Sequence, residues 1–520
     1  MKKITMSMGE ILYYLFLALI LFSKGIGLDE GELLFRVCLV TGMAFLAGKF
    51  LLDDYSVKEI LVIVLLGIFS IRAFFVTGSL GLFIYVLIIT GSKNIPLKRI
   101  FQIGTIIWSL CMLLSFTLAI FGDRKGVMLV HEKFGIGPIL RESLGYTHPN
   151  VLHITYVVFM AFVLYNCSKK KKKTLLTILE LLIGDVFVFM YSVSITGMIS
   201  SLILVIFFLY FELRERRTKI ENIGIMLILP FCVLISTVAP LLGGDSSVFM
   251  AINKLFNSRL IAIRVFFYNQ GLSLFGARFM ESSFAVDNSY AYALLQYGIV
   301  FFVVMMLTYF ALMYYLIRKN QTRELAITSA FLIAGISEPF LFNASIKNIT
   351  VFFVGTWLYT VLEQESNNSF FNRKIKLLSR KNRNFTWNIS TYEEKVQKMK
   401  QESKRFVIGV VCIVLLACVA FAMLTPFRQS QVTTVYSDPK LTDLDEGMET
   451  KINLKKDGSE LIIGDLEDGD IAYCFTRENS MLIQIMDWRR LISFVFYGCG
   501  VLIAVWWLSW KVKGAINENK

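Results

Sequence analysis

The chain has 520 residues, of which 56% are hydrophobic and only 18% charged, with 45 Phe and a net charge of +14. A soluble domain is about one-quarter charged, so this composition excludes a soluble globular protein and demands lipid as solvent. The positive balance does not point to nucleic acid, because membrane proteins concentrate Lys and Arg in their cytoplasmic loops.

Met1-Lys2-Lys3 runs straight into an apolar stretch, and no small-residue cleavage site follows Leu28, so the stretch reads as a retained first helix. Apolar stretches of about 17 to 25 residues mark membrane spans. The sequence predicts them near 9–26, 32–51, 59–76, 77–92, 100–121, 149–167, 174–192, 195–213, 222–241, 289–317, 325–341, 348–363, 405–425 and 490–510. The expected fold class is an all-α polytopic membrane protein of about fourteen transmembrane helices. A small extracytoplasmic β-rich module is expected near the C-terminus.

With the N-terminus inside, the basic loops Lys49 to Lys58, Lys93 to Arg99, Lys169 to Lys173, Arg214 to Lys219, Arg318 to Arg323 and Arg373 to Lys404 share one side. Both termini are then cytoplasmic, and two long outer loops result, at about 122–148 and 242–288. The chain divides into a membrane domain of about twelve helices (1–363), a basic cytoplasmic linker (364–404) and a C-terminal segment (405–520). Within the C-terminal segment a pair of helices flanks the outer module at 427–487, where KINLKKDGSELIIG alternates around Asp457-Gly458, a hairpin signal. The eight cysteines lie almost all in apolar runs without CxxC spacing and imply neither a disulfide framework nor a metal site. No matching halves of the transporter kind are visible.

The first outer loop ends Arg141-Glu142-Ser143-Leu144-Gly145-Tyr146-Thr147-His148-Pro149-Asn150, with His153 one turn on and His131 upstream. Pro149 suits the first turn of a helix and pushes His148 toward an extended conformation, which fixes His148 at the mouth of the sixth helix. The plainer reading is an anchored loop with Arg141 and Glu142 solvated. The second outer loop is apolar but carries Lys254, Arg259, Arg264 and Arg278 and reads as interfacial or re-entrant. A guanidinium fork suits phosphate oxygens, although these cations could also snorkel to anionic headgroups. The loop closes on Val286-Asp287-Asn288-Ser289-Tyr290, where Asp287 is either a helix cap or a carboxylate that orients a hydroxyl. Glu338, followed by Pro339 and Asn343, is a comparable carboxylate, and Arg72, Glu180 and Asp185 read as interior charges that pair within the bundle.

RESLGYTHPN, then a cation-bearing loop containing Ser258-Arg259, then VDNSYAYALLQYGI opening a helix, resemble in that order the Wzy-like polysaccharide polymerases of the O-antigen ligase and polymerase superfamily. The resemblance covers roughly residues 9 to 363. It implies a glycosyltransferase of the bacterial plasma membrane that polymerises undecaprenyl-pyrophosphate-linked oligosaccharide repeat units into capsular or surface polysaccharide. It implies that Arg141 and Arg259 engage the pyrophosphate; Arg264 is expected to support them, and Asn150, Asn288 and Tyr290 are expected as further substrate-binding residues. The base is left open among His148, Asp287 and Glu142. Related ligases carry a histidine-led HN pair where this chain has Asp287-Asn288, and often glycine where it has Ser258, so no histidine role passes to 287. No cofactor, metal or nucleic acid is implied; a flippase and a chain-length regulator are expected partners beside membrane lipid. The alternatives are a lipid-linked oligosaccharide flippase and an O-antigen-ligase-like transferase acting on another acceptor.

Overall fold

The computed structural model describes residues 3–121, 128–132 and 138–363, apart from 169, 215, 245, 257 and 281–284. Beyond these it describes 369–375, 384–388, 433–437, 452–454, 459–465, 471–475, 491 and 498. Each span expected before residue 364 overlaps a helix, but the one expected at 325–341 is helical only as far as Ala334, and 335–341 is irregular. The helices are α1 (Met8–Gly25), α2 (Leu33–Leu52), α3 (Val57–Thr77), α4 (Gly81–Gly91), α5 (Leu97–Phe121), α6 (Pro149–Asn166), α7 (Lys171–Ser192) and α8 (Ile195–Leu213). After them come α9 (Lys219–Leu242), α10 (Ser247–Leu255), α11 (Arg259–Asn269), α12 (Ser289–Arg318), α13 (Thr322–Ala334) and α14 (Val351–Leu362). Among the described residues, 9 helices are long and apolar enough to cross a membrane, and α4 and α14 are shorter apolar helices. The spans expected at 405–425 and 490–510 lie outside the described residues, isolated positions aside.

The exterior shows why lipid is needed. α3 turns Leu61, Val64, Leu65, Ile68, Ile71 and Phe75 outward, apolar surface that water would penalise and hydrocarbon accepts. Inside, Trp108, Tyr13, Phe16, Phe101 and Phe162 pack a continuous core. Of the three charges read as interior, only Asp185 is buried; Arg72 and Glu180 are exposed. Glu180 precedes Asp185 by five residues on α7, which turns it about 140° away around the helix, and Arg72 lies over the Phe275 ring at 4.7 Å.

Two helices depart from regularity. α9 contains Pro230 and a π-helical turn at Leu234–Val238, and α12 breaks at Gly298 (φ 86°, ψ 171°). The second break is a correction to the unbroken helix expected there. The amides of Ile299 and Val300, freed by it, donate to the carbonyls of Ser273 (2.9 Å) and Leu274 (3.1 Å), and Ala277 N–H donates to Gln296 O at 3.1 Å. An irregular strap after α11 thereby supplies the hydrogen bonds that the helix gives up.

Short strands tie the chain beyond α14 back to its beginning. β1 (Lys3–Ser7) pairs antiparallel with Asn384–Asn388, and β2 (Tyr55–Ser56) with Lys374–Ile375. Arg99 pairs with Glu10, Lys49 with Asp53, and Lys93 with Glu59 at 2.6 Å on this same face. Arg323 pairs there with Glu212 at 2.6 Å. The opposite face holds the α1–α2 turn, the α3–α4 turn, the entry to α6, the α7–α8 turn and the connection between α13 and α14. Within 427–487, Ile452–Leu454 pairs antiparallel with Ser459–Asp465 around the expected Asp457-Gly458 turn, whose own residues are outside those described.

Candidate functional site

The first wall of the site precedes α6. β3 (Met128–Glu132) and β4 (Pro138–Glu142) form an antiparallel hairpin where the sequence reads as plain loop. β4 delivers Arg141, and a tight turn follows with Leu144 and Gly145 at φ 44° and 85°. Tyr146 anchors that turn by donating its hydroxyl to Gly25 O at 3.0 Å. His148 is extended ahead of Pro149 and caps α6, its Nδ1 accepting the Asn150 N–H at 3.1 Å. Arg141 is buried; its Nε donates to Ser192 O at 2.8 Å and its Nη2 to Asn150 Oδ1 at 2.6 Å. Burial pulls this guanidinium down to about 10, Glu338 opposing and the like charge of Arg259 adding to the fall. It stays a cation at neutral pH, near enough to Arg259 for the two to repel.

The second wall comes from α11. Its cap residue Ser258 has φ 63°, in the left-handed region that costs an L-residue about 1 kcal/mol and glycine nothing. Arg259 donates to the carbonyl of Ser337 and lies 3.3 Å from Asp287 Oδ2 and 3.7 Å from Glu338 Oε1. Glu338 is buried and also accepts the Thr196 hydroxyl at 2.6 Å.

The floor is the connection from Gly335 to Thr350, buried over most of its length and held by side chains of the helices around it and by its own. Ser289 donates to Glu338 O at 2.6 Å, Tyr297 to Phe342 O at 2.9 Å and Asn348 to Leu341 O at 2.9 Å. Lys347 donates to Val151 O at 3.0 Å. These walls and floor enclose a cavity of about 320 Å³ whose polar lining includes His148, Asn150, Asp287, Glu338, Asn343 and Lys347. Arg141 and Arg259 stand behind it, each bonded or paired to a lining residue.

Of the residues singled out in the sequence, the structure thus brings together Arg141, Arg259, His148, Asn150, Asp287, Glu338 and Asn343. It leaves others apart. Asn288 is fully buried as the cap of α12, with Oδ1 taking the N–H groups of Tyr290 and Ala291 and Nδ2 given to Ser236 and Ile336 O. Tyr290 is fully buried and donates to Leu332 O at 2.7 Å. Arg264 stacks on Phe249 at 4.3 Å and donates to the carbonyls of Pro240 and Gly244. Glu142 is half-buried and does not line the cavity. His153 is in the core, its ring between Ser192 Oγ (3.0 Å) and Asp185 Oδ1 (2.9 Å), while Ser201 donates to the same Asp185 oxygen at 2.6 Å. That network supports Ser192, whose carbonyl holds Arg141. The side chain of His131 lies outside the described residues.

Lys347 and Thr196 were missed in the sequence. Lys347 had a signal, as a single cation in an apolar stretch a few residues after Glu338-Pro339; Thr196 had none. Among the described residues, no three His, Cys, Asp or Glu side chains group as metal ligands. No protein-family model, no curated protein and no solved structure matches the chain.

Proposed function

We propose that this protein is a glycosyltransferase that polymerises undecaprenyl-pyrophosphate-linked oligosaccharide repeat units into capsular or surface polysaccharide on the outer face of the bacterial plasma membrane. The observation that carries the reading is the pair of guanidiniums, Arg141 and Arg259, held behind one polar cavity on the face opposite the N-terminal strand. Two neighbouring cations repel unless an anion bridges them, and a diphosphate offers oxygens to both forks at once. A second feature supports a lipid-linked substrate. An apolar groove of about 340 Å³, lined by Leu66, Phe69, Val304, Met305, Leu341 and Trp357 among others, runs between α3, α4, α12 and α14. It shares the connection 335–350 with the polar cavity, Phe340 and Asn343 lining one and Leu341 and Phe342 the other.

In this reading the chain crosses the membrane about fourteen times. Both termini are cytoplasmic, and residues 427–487 form an outer β-rich module. A hydroxyl of one repeat unit attacks the anomeric carbon of the chain carried on the lipid pyrophosphate, and the departing pyrophosphate is met by Arg259 and Arg141. Asp287 and Glu338 hold Arg259 in place before the donor arrives. A flippase delivers the lipid-linked units and a chain-length regulator is the expected neighbour.

The test uses full-length protein in lipid nanodiscs supplied with a lipid-linked repeat unit. A ladder of polymer together with released undecaprenyl pyrophosphate is expected. Substrate left intact by protein that binds it would overturn the reading, and transfer to a different acceptor alone would turn it toward a ligase.

A further inference from the structure

We propose that Lys347 is the proton acceptor for the attacking hydroxyl in the glycosyl transfer described above, an assignment that rests on that reading of the site. The geometry comes first. Lys347 is almost fully buried (4% exposed) in the connection between α13 and α14, and its Nζ reaches Val151 O on α6 at 3.0 Å. It lines the same cavity as His148, Asp287 and Glu338. Among the described residues it forms no ion pair.

The other ionisable groups of the cavity are committed elsewhere. Asp287 and Glu338 both face Arg259, at 3.3 and 3.7 Å, and Glu338 also accepts from Thr196. A proton taken up by either carboxylate would cancel the charge that holds the arginine in place for the leaving group. His148 uses Nδ1 to cap its own helix. The groups that act on Lys347 are Glu338 from its own connection and Lys24 and Asp29 from the end of α1 and the turn after it. Burial dominates, Glu338 opposes it, Lys24 adds to it, and the ammonium is brought down to about 7. An amine there is about half neutral at physiological pH and offers a lone pair, which an ordinary lysine near 10.4 does not.

The step balances without a further reactant. The acceptor O–H proton passes to Lys347 Nζ as the hydroxyl oxygen bonds to the anomeric carbon. The bond from that carbon to the pyrophosphate oxygen breaks, and its electron pair leaves on the pyrophosphate. The ammonium then returns its proton to water.

The test follows kcat of the full-length protein in nanodiscs between pH 5.5 and 9, with the lipid-linked repeat unit as substrate. The wild type is expected to gain about tenfold per pH unit below about pH 7 and to level off above it. Lys347→Met and Lys347→Arg are expected to lose about a hundredfold or more in kcat with little change in KM for the lipid donor. Lys347→Cys alkylated with 2-bromoethylamine, which restores a slightly more acidic amine, is expected to recover activity with the rising limb moved to lower pH; this variant separates loss of the base from loss of the fold. Full kcat in Lys347→Met, or a rising limb that persists in it and disappears in His148→Gln, would overturn the assignment. A wild type that makes no polymer at any pH refutes the polymerase reading instead.

Discussion

Arg259 is the residue on which most of the site converges, since it touches a backbone carbonyl and a carboxylate of the connection 335–350 and a second carboxylate from the loop before α12. Arg259→Ala is expected to lower polymerisation by about 10² to 10³, the usual effect of removing a donor aimed at developing charge, while single repeat units remain on lipid. Arg259→Lys is expected to restore only a fraction of the rate, because one ammonium cannot span Asp287, Glu338 and a phosphate oxygen. Wild-type polymer in the Ala variant, from protein that accumulates normally, would reduce Arg259 to a structural clamp. Arg141 differs in kind: it is buried on Ser192 O and Asn150 Oδ1, so its loss also strips two polar partners in the interior. The two histidines closest in sequence diverge in the same way. His148 sits at the cavity, whereas His153, one turn later, locks α6 to α7 through Asp185. The sequence places both at one helix mouth; only the side to which each side chain turns separates them, and that depends on what α7 presents.

At the scale of elements, the broken α12 is the feature that gives the site its shape. Gly298 has φ 86° and ψ 171°, a region essentially closed to residues with a Cβ. A Cβ there would also lie 2.4 Å from Gly276 N and 2.7 Å from Leu274 O. Gly298→Ala is therefore expected to destabilise the protein by about 1 to 3 kcal/mol and to displace the strap that pairs with the break. The measurement is thermal unfolding in detergent, with Gly224→Ala, which meets no atom within 4 Å, as the control; equal Tm values for the two variants would show that the break is not constrained. Length and hydropathy made the helices legible, because each apolar run of a span's length has little else to become. The break was not legible, since glycine is common in apolar spans and nothing within α12 distinguishes Gly298 from a tolerated one. The Arg259 contacts with Asp287 and Glu338 were equally hidden: the residue types were visible, but their meeting depends on the irregular connection 335–350, which carries no period to read.

For the whole molecule, the sorting of contacts to two faces is the result that the alternating topology needs, and the strand pairs carry it past residue 363. Thr5 stands opposite Thr386 in the β1 pairing, and directly opposed residues of an antiparallel pair have Cα atoms about 4.5 to 5.5 Å apart. The double variant Thr5→Cys with Thr386→Cys is expected to form a disulfide under mild oxidation, and Thr5→Cys with Asn384→Cys to do so poorly; equal yields would show that the register is not held. The sequence identified residues 364–404 as a basic linker, and a linker so read gives no hint that a stretch of it closes a sheet with the first residues of the chain, because strand pairing over such a separation leaves no local trace. This pairing also has a consequence for biogenesis. Ile4 emerges early and its partner Trp387 roughly 380 residues later; at about 5 to 20 residues per second the interval is on the order of 20 to 80 seconds. For all that time β1 is an unpaired edge at the membrane surface while the helices between are inserted one after another, and an open edge is a place where foreign strands can add. The last step in assembling the N-terminal face therefore belongs to chain made after α14, so that a ribosome stalled before residue 384 releases a bundle of inserted helices whose first strand is still open.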